Sequence, residues 1–202
     1  VADQKITDYT ELTTPAKGDL MEIVDDPGGT PINKKLKIEN LIAVILDRSR
    51  PNVTVTNTAS ETDVFTISVA GNTLGSTGRL RLTLLGGKVK NGGGTDNAMT
   101  MRVKYGSTTV ATISVPGVST DNAATRPCDL EVDLWNDNAT NAQICHARCV
   151  AGTNDGSGAT IAIARGTASE DSTASKTFKV TWQQAAVPEH SYTSHQAKLT
   201  LE

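Results

Sequence analysis

From Pro51 onward the polarity of the chain flips at every second residue in run after run, and this period of two constrains the fold more than any other feature. In Leu80-Arg81-Leu82-Thr83-Leu84 the leucines share one face. In the following run Met99, Met101, Val103 and Tyr105 share another, with Thr100, Arg102 and Lys104 turned away. Successive side chains of a strand point to opposite sides, so each run has one face for a core and one for solvent. Comparable runs recur at short intervals, at 53–57, 63–70, 78–85, 98–105, 108–115, 128–135, 142–150, 160–165, 176–183 and 196–201. Nothing between them has a helical period. The segment Lys104-Tyr105-Gly106-Ser107-Thr108 predicts a tight hairpin turn around Gly106-Ser107. The segments 86–97, 116–127 and 152–158 read as longer loops, rich in Gly, Asn and Asp. Roughly ten antiparallel strands joined in this way predict a mainly β chain, an antiparallel β-sandwich of jelly-roll type.

Ahead of Pro51 the sequence has a different character. Asp19-Leu20-Met21-Glu22-Ile23-Val24-Asp25 alternates like a strand, Asp26-Pro27-Gly28-Gly29-Thr30-Pro31 is dense turn chemistry, and Lys34-Lys35-Leu36-Lys37-Ile38 alternates again, which predicts a local hairpin. From Ile38 the period changes. Ile38, Leu41, Ile42, Ile45 and Leu46 fall at the spacing of a short helix with one apolar stripe. Isolated helices shorter than roughly 12 residues are marginal in water, so this one needs the β-domain or the same stripe on two other copies as its partner. Asp47-Arg48-Ser49-Arg50-Pro51 ends it, because proline cannot continue a helix. The expected organisation is therefore a 1–50 attachment and oligomerisation module ahead of a 51–202 β-sandwich.

These N-terminal residues also carry a resemblance. Leu12-Thr13-Thr14-Pro15-Ala16, Gly18-Asp19-Leu20, Ile23-Val24-Asp25, Lys34-Lys35, Ile38 and Asn40-Leu41 resemble the N-terminal module of many tailed-bacteriophage virion proteins. In the β-region, Asn72-Thr73-Leu74-Gly75, Gly78 and Leu80-Arg81-Leu82, then Leu84-Leu85-Gly86, are similar to phage fibre-head and decoration domains. The resemblance implies a virion structural protein, usually a homotrimer, bound to the major capsid protein or another virion protein and exposed on the virion surface.

Composition bears on the same question. Aromatics make up 3% of the 202 residues, so the core must be filled by Val, Leu, Ile, Ala and Thr, with less area buried per residue than rings provide. Oligomerisation is a natural compensation. A net charge of -3, with no basic face beyond Lys34, Lys35 and Lys37, argues against a nucleic-acid partner. The opening Val1–Asp8 has no apolar signal-peptide core. No run approaches the ~18 apolar residues of a membrane span, which predicts synthesis in the cytoplasm without membrane insertion, and the resemblance implies that of a host bacterium.

The residues that invite chemistry have plainer readings. In Cys145-His146-Ala147-Arg148-Cys149 a strand would hold the two thiols about 13 Å apart with His146 on the opposite face, too far for one metal ion. The three cysteines read as buried apolar residues. Asp129, Glu131 and Asp133 read as the wet face of a strand, and Asp25-Asp26 as turn formers. Asn154-Asp155-Gly156-Ser157-Gly158 lacks calcium-loop spacing, and Asn91-Gly92-Gly93-Gly94 lacks the helix a phosphate loop needs. Glu189, His190, Ser191 and His195 crowd one run without any nucleophile elbow. No catalytic residue, metal or cofactor is expected.

Two function classes follow. The first is a homotrimeric capsid decoration protein or head fibre, attached through Ile38, Leu41, Ile42, Ile45 and Leu46; the short chain without a repetitive shaft favours the capsid. The second is a tail fibre whose β-domain recognises a host-surface glycan, for which Tyr9, Tyr105, Trp135, Trp182 and Tyr192 are the rings on offer.

Overall fold

The computed structural model describes residues 20–25, 32–37, 44–92, 99–115, 122–152, 158–187 and 189–202. It divides the chain into two compact units, Val1–Val44 and Ile45–Glu202. In the first, β1 (Leu20–Asp25) and β2 (Ile32–Lys37) form the expected antiparallel hairpin, with Leu20 opposite Lys37 and Asp25 opposite Ile32.

The expected helix is corrected by the structure. Ile38, Leu41 and Ile42 lie outside the described residues, but Ile45 and Leu46 lie on a strand, β3 (Val44–Ser49), that pairs with the last strand of the chain. Leu46 packs against the core and Ile45 is 47% exposed, the opposite sides that neighbouring residues of a strand take. The reason lies in the residues themselves. A short apolar run fits either period, and the β-branched pair Val44-Ile45 gains a hydrogen-bonded neighbour in the sheet that a lone helix of that length lacks. The break between units falls ahead of Pro51, so β3 belongs with the sandwich.

The second unit is an antiparallel β-sandwich, and the described residues contain no helix. The smaller sheet has four strands in the order β5 (Thr62–Val69), β13 (Lys176–Gln183), β8 (Thr100–Tyr105), β9 (Thr108–Ser114). The larger sheet is organised on β10 (Asn122–Asn136). The first part of this long strand pairs with β7 (Lys88–Asn91), which leads on to β14 (Ser191–Thr193) and β4 (Thr54–Thr56). Its second part runs between β6 (Arg79–Leu85) and β11 (Gln143–Gly152); β15 (Gln196–Leu201) and β3 extend the β6 side, β12 (Ala159–Ala168) the β11 side.

Alternation decides what these strands bury. Leu80, Leu82 and Leu84 of β6, Leu130, Val132 and Leu134 of β10 and Leu199 of β15 join Met101, Val103 and Tyr105 of β8 and Phe178, Val180 and Trp182 of β13 in one core, each at most 2% exposed. Phe65, Tyr105, Phe178, Trp182 and Tyr192 are spent on it. Trp182 stacks on Tyr192 at 4.3 Å and Phe65 meets Phe178 edge-on at 6.4 Å. On β11 and β12 the inward residues are small, Cys145, Ala147, Cys149, Ala162, Ala164 and Gly166, and there the other sheet comes close. A Cβ on Gly166 would sit 1.9 Å from the Val110 carbonyl oxygen of β9. The expected turn is present as well: Gly106 takes φ +59 between Tyr105 and Thr108, the left-handed conformation a two-residue hairpin loop requires.

At the end of β10 a buried polar network fixes the chain. Asn136 Nδ2 donates to the Gly75 carbonyl and to Ser172 Oγ, and Gln143 Nε2 donates to Asn136 Oδ1. The Glu170 amide donates to Gln143 Oε1, and Ser172 Oγ to the Thr140 carbonyl. Asn136 and Gln143 are 2% and 1% exposed, and such groups are tolerated only when each donor and acceptor is matched. The residue before Asn136 is Trp135, whose side chain points the other way.

Candidate functional site

The outer face of the large sheet collects the side chains that alternation turns away from the core. Across four neighbouring strands one rung reads Arg81, Asp133, His146, Arg165, and the next Arg79, Trp135, Ile144, Thr167. Asp133 is the hub. Its Oδ1 accepts from Arg79 Nε at 3.0 Å, Arg79 Nη2 at 2.7 Å and Arg81 Nε at 3.1 Å. Both arginines also face the Glu202 carboxylate, at 3.6 and 3.8 Å. Two guanidinium groups thus meet two carboxylates. All the donors converge on one oxygen of Asp133, and among the described residues its Oδ2 accepts no hydrogen bond.

Beside this cluster Trp135 and His146 meet edge to face, ring centroids 4.9 Å apart and planes at 80°. Such pairs fix each other's orientation through the ring quadrupole. His146 Nε2 is buried behind the pair with no hydrogen-bond partner among the described residues. Thr77, Arg79, Asp133, Trp135 and His146 line a recess of about 420 Å³. Two other hollows, of about 380 and 290 Å³, share Gly86 in their lining, and neither is lined by Trp, Tyr or Phe.

The other sequence candidates are placed as follows. Cys145 and Cys149 point into the core from β11 and His146 to the outer face, the alternation expected of a strand. The structure adds a neighbour that spacing did not reveal: Cys128 Sγ lies 3.7 Å from Cys149 Sγ. The contact with Cys149, and then burial, push the Cys128 thiol well above its ordinary pKa. Burial, with the Asp133 charge behind it, pushes the Cys145 thiol up to about 12. Asp129, Glu131 and Asp133 share the outer face as expected, each with its own partner. Asp129 accepts from the Gly86 amide at 2.7 Å, Glu131 faces Arg148 at 3.4 Å, and Asp133 holds the arginines. In the C-terminal run, Glu189 pairs with Lys90, His190 is fully buried, and Ser194 Oγ donates to the Val64 carbonyl, so its polar groups go separate ways. The loop residues Asn154–Ser157 and the turn residue Asp26 lie outside the described residues.

Of the expected attachment residues, Leu46 is committed to the sandwich and Ile45 stays exposed. A separate apolar feature lies on β12, which among the described residues pairs with β11 alone: Ile161 and Ile163 stand outward, 53% and 72% exposed. Thr77 and Arg79 carried no signal of their own. The register sets Arg79 opposite Trp135, and Thr77, in the turn just before β6, lines the same recess.

No protein-family model matches the chain, and no curated protein matches it. Among solved structures, the carbohydrate recognition domain of Emp47p is similar over 92% of this chain and 89% of that one, at 11% identity and a TM-score of 0.26. A likeness that loose carries no argument about function.

Proposed function

We propose that the chain is a structural protein of a tailed-bacteriophage virion, a homotrimeric capsid decoration protein or head fibre whose β-sandwich is displayed on the particle surface. The observation that carries this reading is the division of the chain. One unit is a sandwich with its own core; the described part of the other is a single two-stranded hairpin. A two-stranded hairpin is marginally stable in water by itself, which fits a unit that docks on a partner. That unit also bears the residues that resemble the virion attachment module. Since Leu46 faces the sandwich core, attachment falls to residues 1–44. The exposed Ile161 and Ile163, on a strand whose outer edge has no partner among the described residues, support association between copies, because open apolar edges favour pairing. The role is structural, and no reaction is assigned to it.

The test is immunogold labelling of particles of the phage that encodes the chain, with copies counted on a stained gel against the major capsid protein. Label over the head, at copy numbers comparable with the capsid protein, is the expected result. Sparse label confined to the tail moves the reading to a tail fibre, and unlabelled particles overturn it.

A further inference from the structure

A second function can be read from the aromatic residues. Tyr105, Trp182 and Tyr192 are at most 1% exposed, Phe65 and Phe178 are in the core, and Tyr9 lies outside the described residues. Among the described residues Trp135 is the one ring left at the surface, and it stands in a recess rather than on a flat face. An aromatic-poor protein that keeps this indole half-buried in an open recess, edge to face with His146, holds an apolar wall where solvation alone favours a polar residue.

We infer that this recess binds a neutral saccharide. Three features select that class. The indole offers an apolar surface to the C–H groups of a sugar ring. Beside it stand an acceptor, Asp133 Oδ2, a hydroxyl that donates and accepts, Thr77, and guanidinium donors of Arg79, which is the mixed set that vicinal hydroxyls need. Around the recess the charges cancel: Arg79 and Arg81 are matched by Asp133 and Glu202 within 4 Å, and Arg165, one strand beyond His146, does not line it. A phosphate or carboxylate ligand would need a cation not already committed, and an ammonium ligand a spare anion. An uncharged polyol needs neither. A volume of about 420 Å³ lies within the usual range of small-ligand pockets and has room for a mono- or disaccharide. The site is built wholly from the sandwich unit, so it stands whether or not the attachment role proposed above is correct.

The test is saturation-transfer NMR on the full chain with glucose, galactose, mannose, N-acetylglucosamine, lactose and maltose, and with sialic acid and glucose 6-phosphate as charged comparisons. At least one neutral sugar is expected to receive saturation at its ring protons. Trp135→Ala is expected to abolish the transfer. Thr77→Val, at the exposed rim, is expected to weaken binding about tenfold, the scale of one lost hydrogen bond. Trp135→Phe, which keeps a ring, should retain part of the signal, and it carries the comparison if Trp135→Ala does not fold. Silence from all six neutral sugars overturns the inference, as does transfer that persists undiminished in the Trp135 and Thr77 variants. Stronger binding of the charged sugars overturns the neutral class.

Discussion

Glu170 is expected to lock the β8–β9 hairpin, and replacing it by glutamine should remove a defined, acid-sensitive part of the stability. Its Oε1 accepts from the Ser107 amide at 2.9 Å, from Ser107 Oγ at 2.8 Å and from Thr108 Oγ1 at 2.8 Å, while Oε2 faces Lys176 Nζ at 2.9 Å. The lysine and then the two hydroxyls hold its carboxyl down at about 2, from an ordinary 4.5. That difference corresponds to roughly 3 kcal/mol between carboxylate and acid. Solvent at this surface turn screens it, which leaves about 1.5 kcal/mol. Because the folded-state pKa is the lower one, the contribution is full above the unfolded-state value near 4.5 and is lost as pH falls toward 2. Urea unfolding of the wild type and Glu170→Gln should therefore differ by about 1.5 kcal/mol near pH 7 and by less than half of that near pH 3. Equal stabilities near pH 7, or a difference independent of pH, would refute the reasoning.

Asn136→Ala strips the buried network of a double donor and an acceptor and leaves the Gly75 carbonyl without its partner. It should cost about 2 kcal/mol, seen as a lower urea midpoint with an unchanged slope; an unchanged midpoint would contradict it. Cys128, Cys145 and Cys149 are each 0% exposed, with the Cys128 and Cys145 thiols pushed to high pKa, so a disulfide-exchange reagent near pH 8 should label none in the native state. Full labelling in denaturant is the control, and fast native labelling would show the β10–β11 packing to be wrong.

How much could be read in advance depended on whether a segment carries its own pattern. β13 and β15 coincide with the runs at 176–183 and 196–201, and Gly106 marks its turn, because alternation and a left-handed glycine are local properties. The strands that were missed are held by distant partners. β7 and β14 each bury a central residue, Val89 and Tyr192, that sits opposite the other; β7 falls in a segment that reads as loop and β14 in none of the alternating runs, because their neighbours are Lys, Asn, Ser and Thr. The first part of β10 runs through Pro127 in a segment read as loop, and only its pairing with β7 makes it a strand. β3 is missed because in the sequence Ile45 and Leu46 continue the helical spacing of Ile38, Leu41 and Ile42, whereas pairing with β15 places them on a strand. The outer-face site was visible only in pieces. Asp133 was grouped with Asp129 and Glu131, His146 with two cysteines, and Trp135 with four other aromatics. Register, a property of three strands together, sets Asp133 between Arg81 and His146 and leaves Trp135 beside them.

The division of labour between the two units is tested most directly by rebinding. A 45–202 fragment and the full chain would each be mixed with particles stripped of the protein, and the bound fraction measured after sedimentation. The fragment contains the whole sandwich core and should unfold as one cooperative β-type transition. It is expected to stay in the supernatant while the full chain sediments with the particles. A folded 45–202 fragment that sediments as completely as the full chain would contradict the assignment of attachment to residues 1–44.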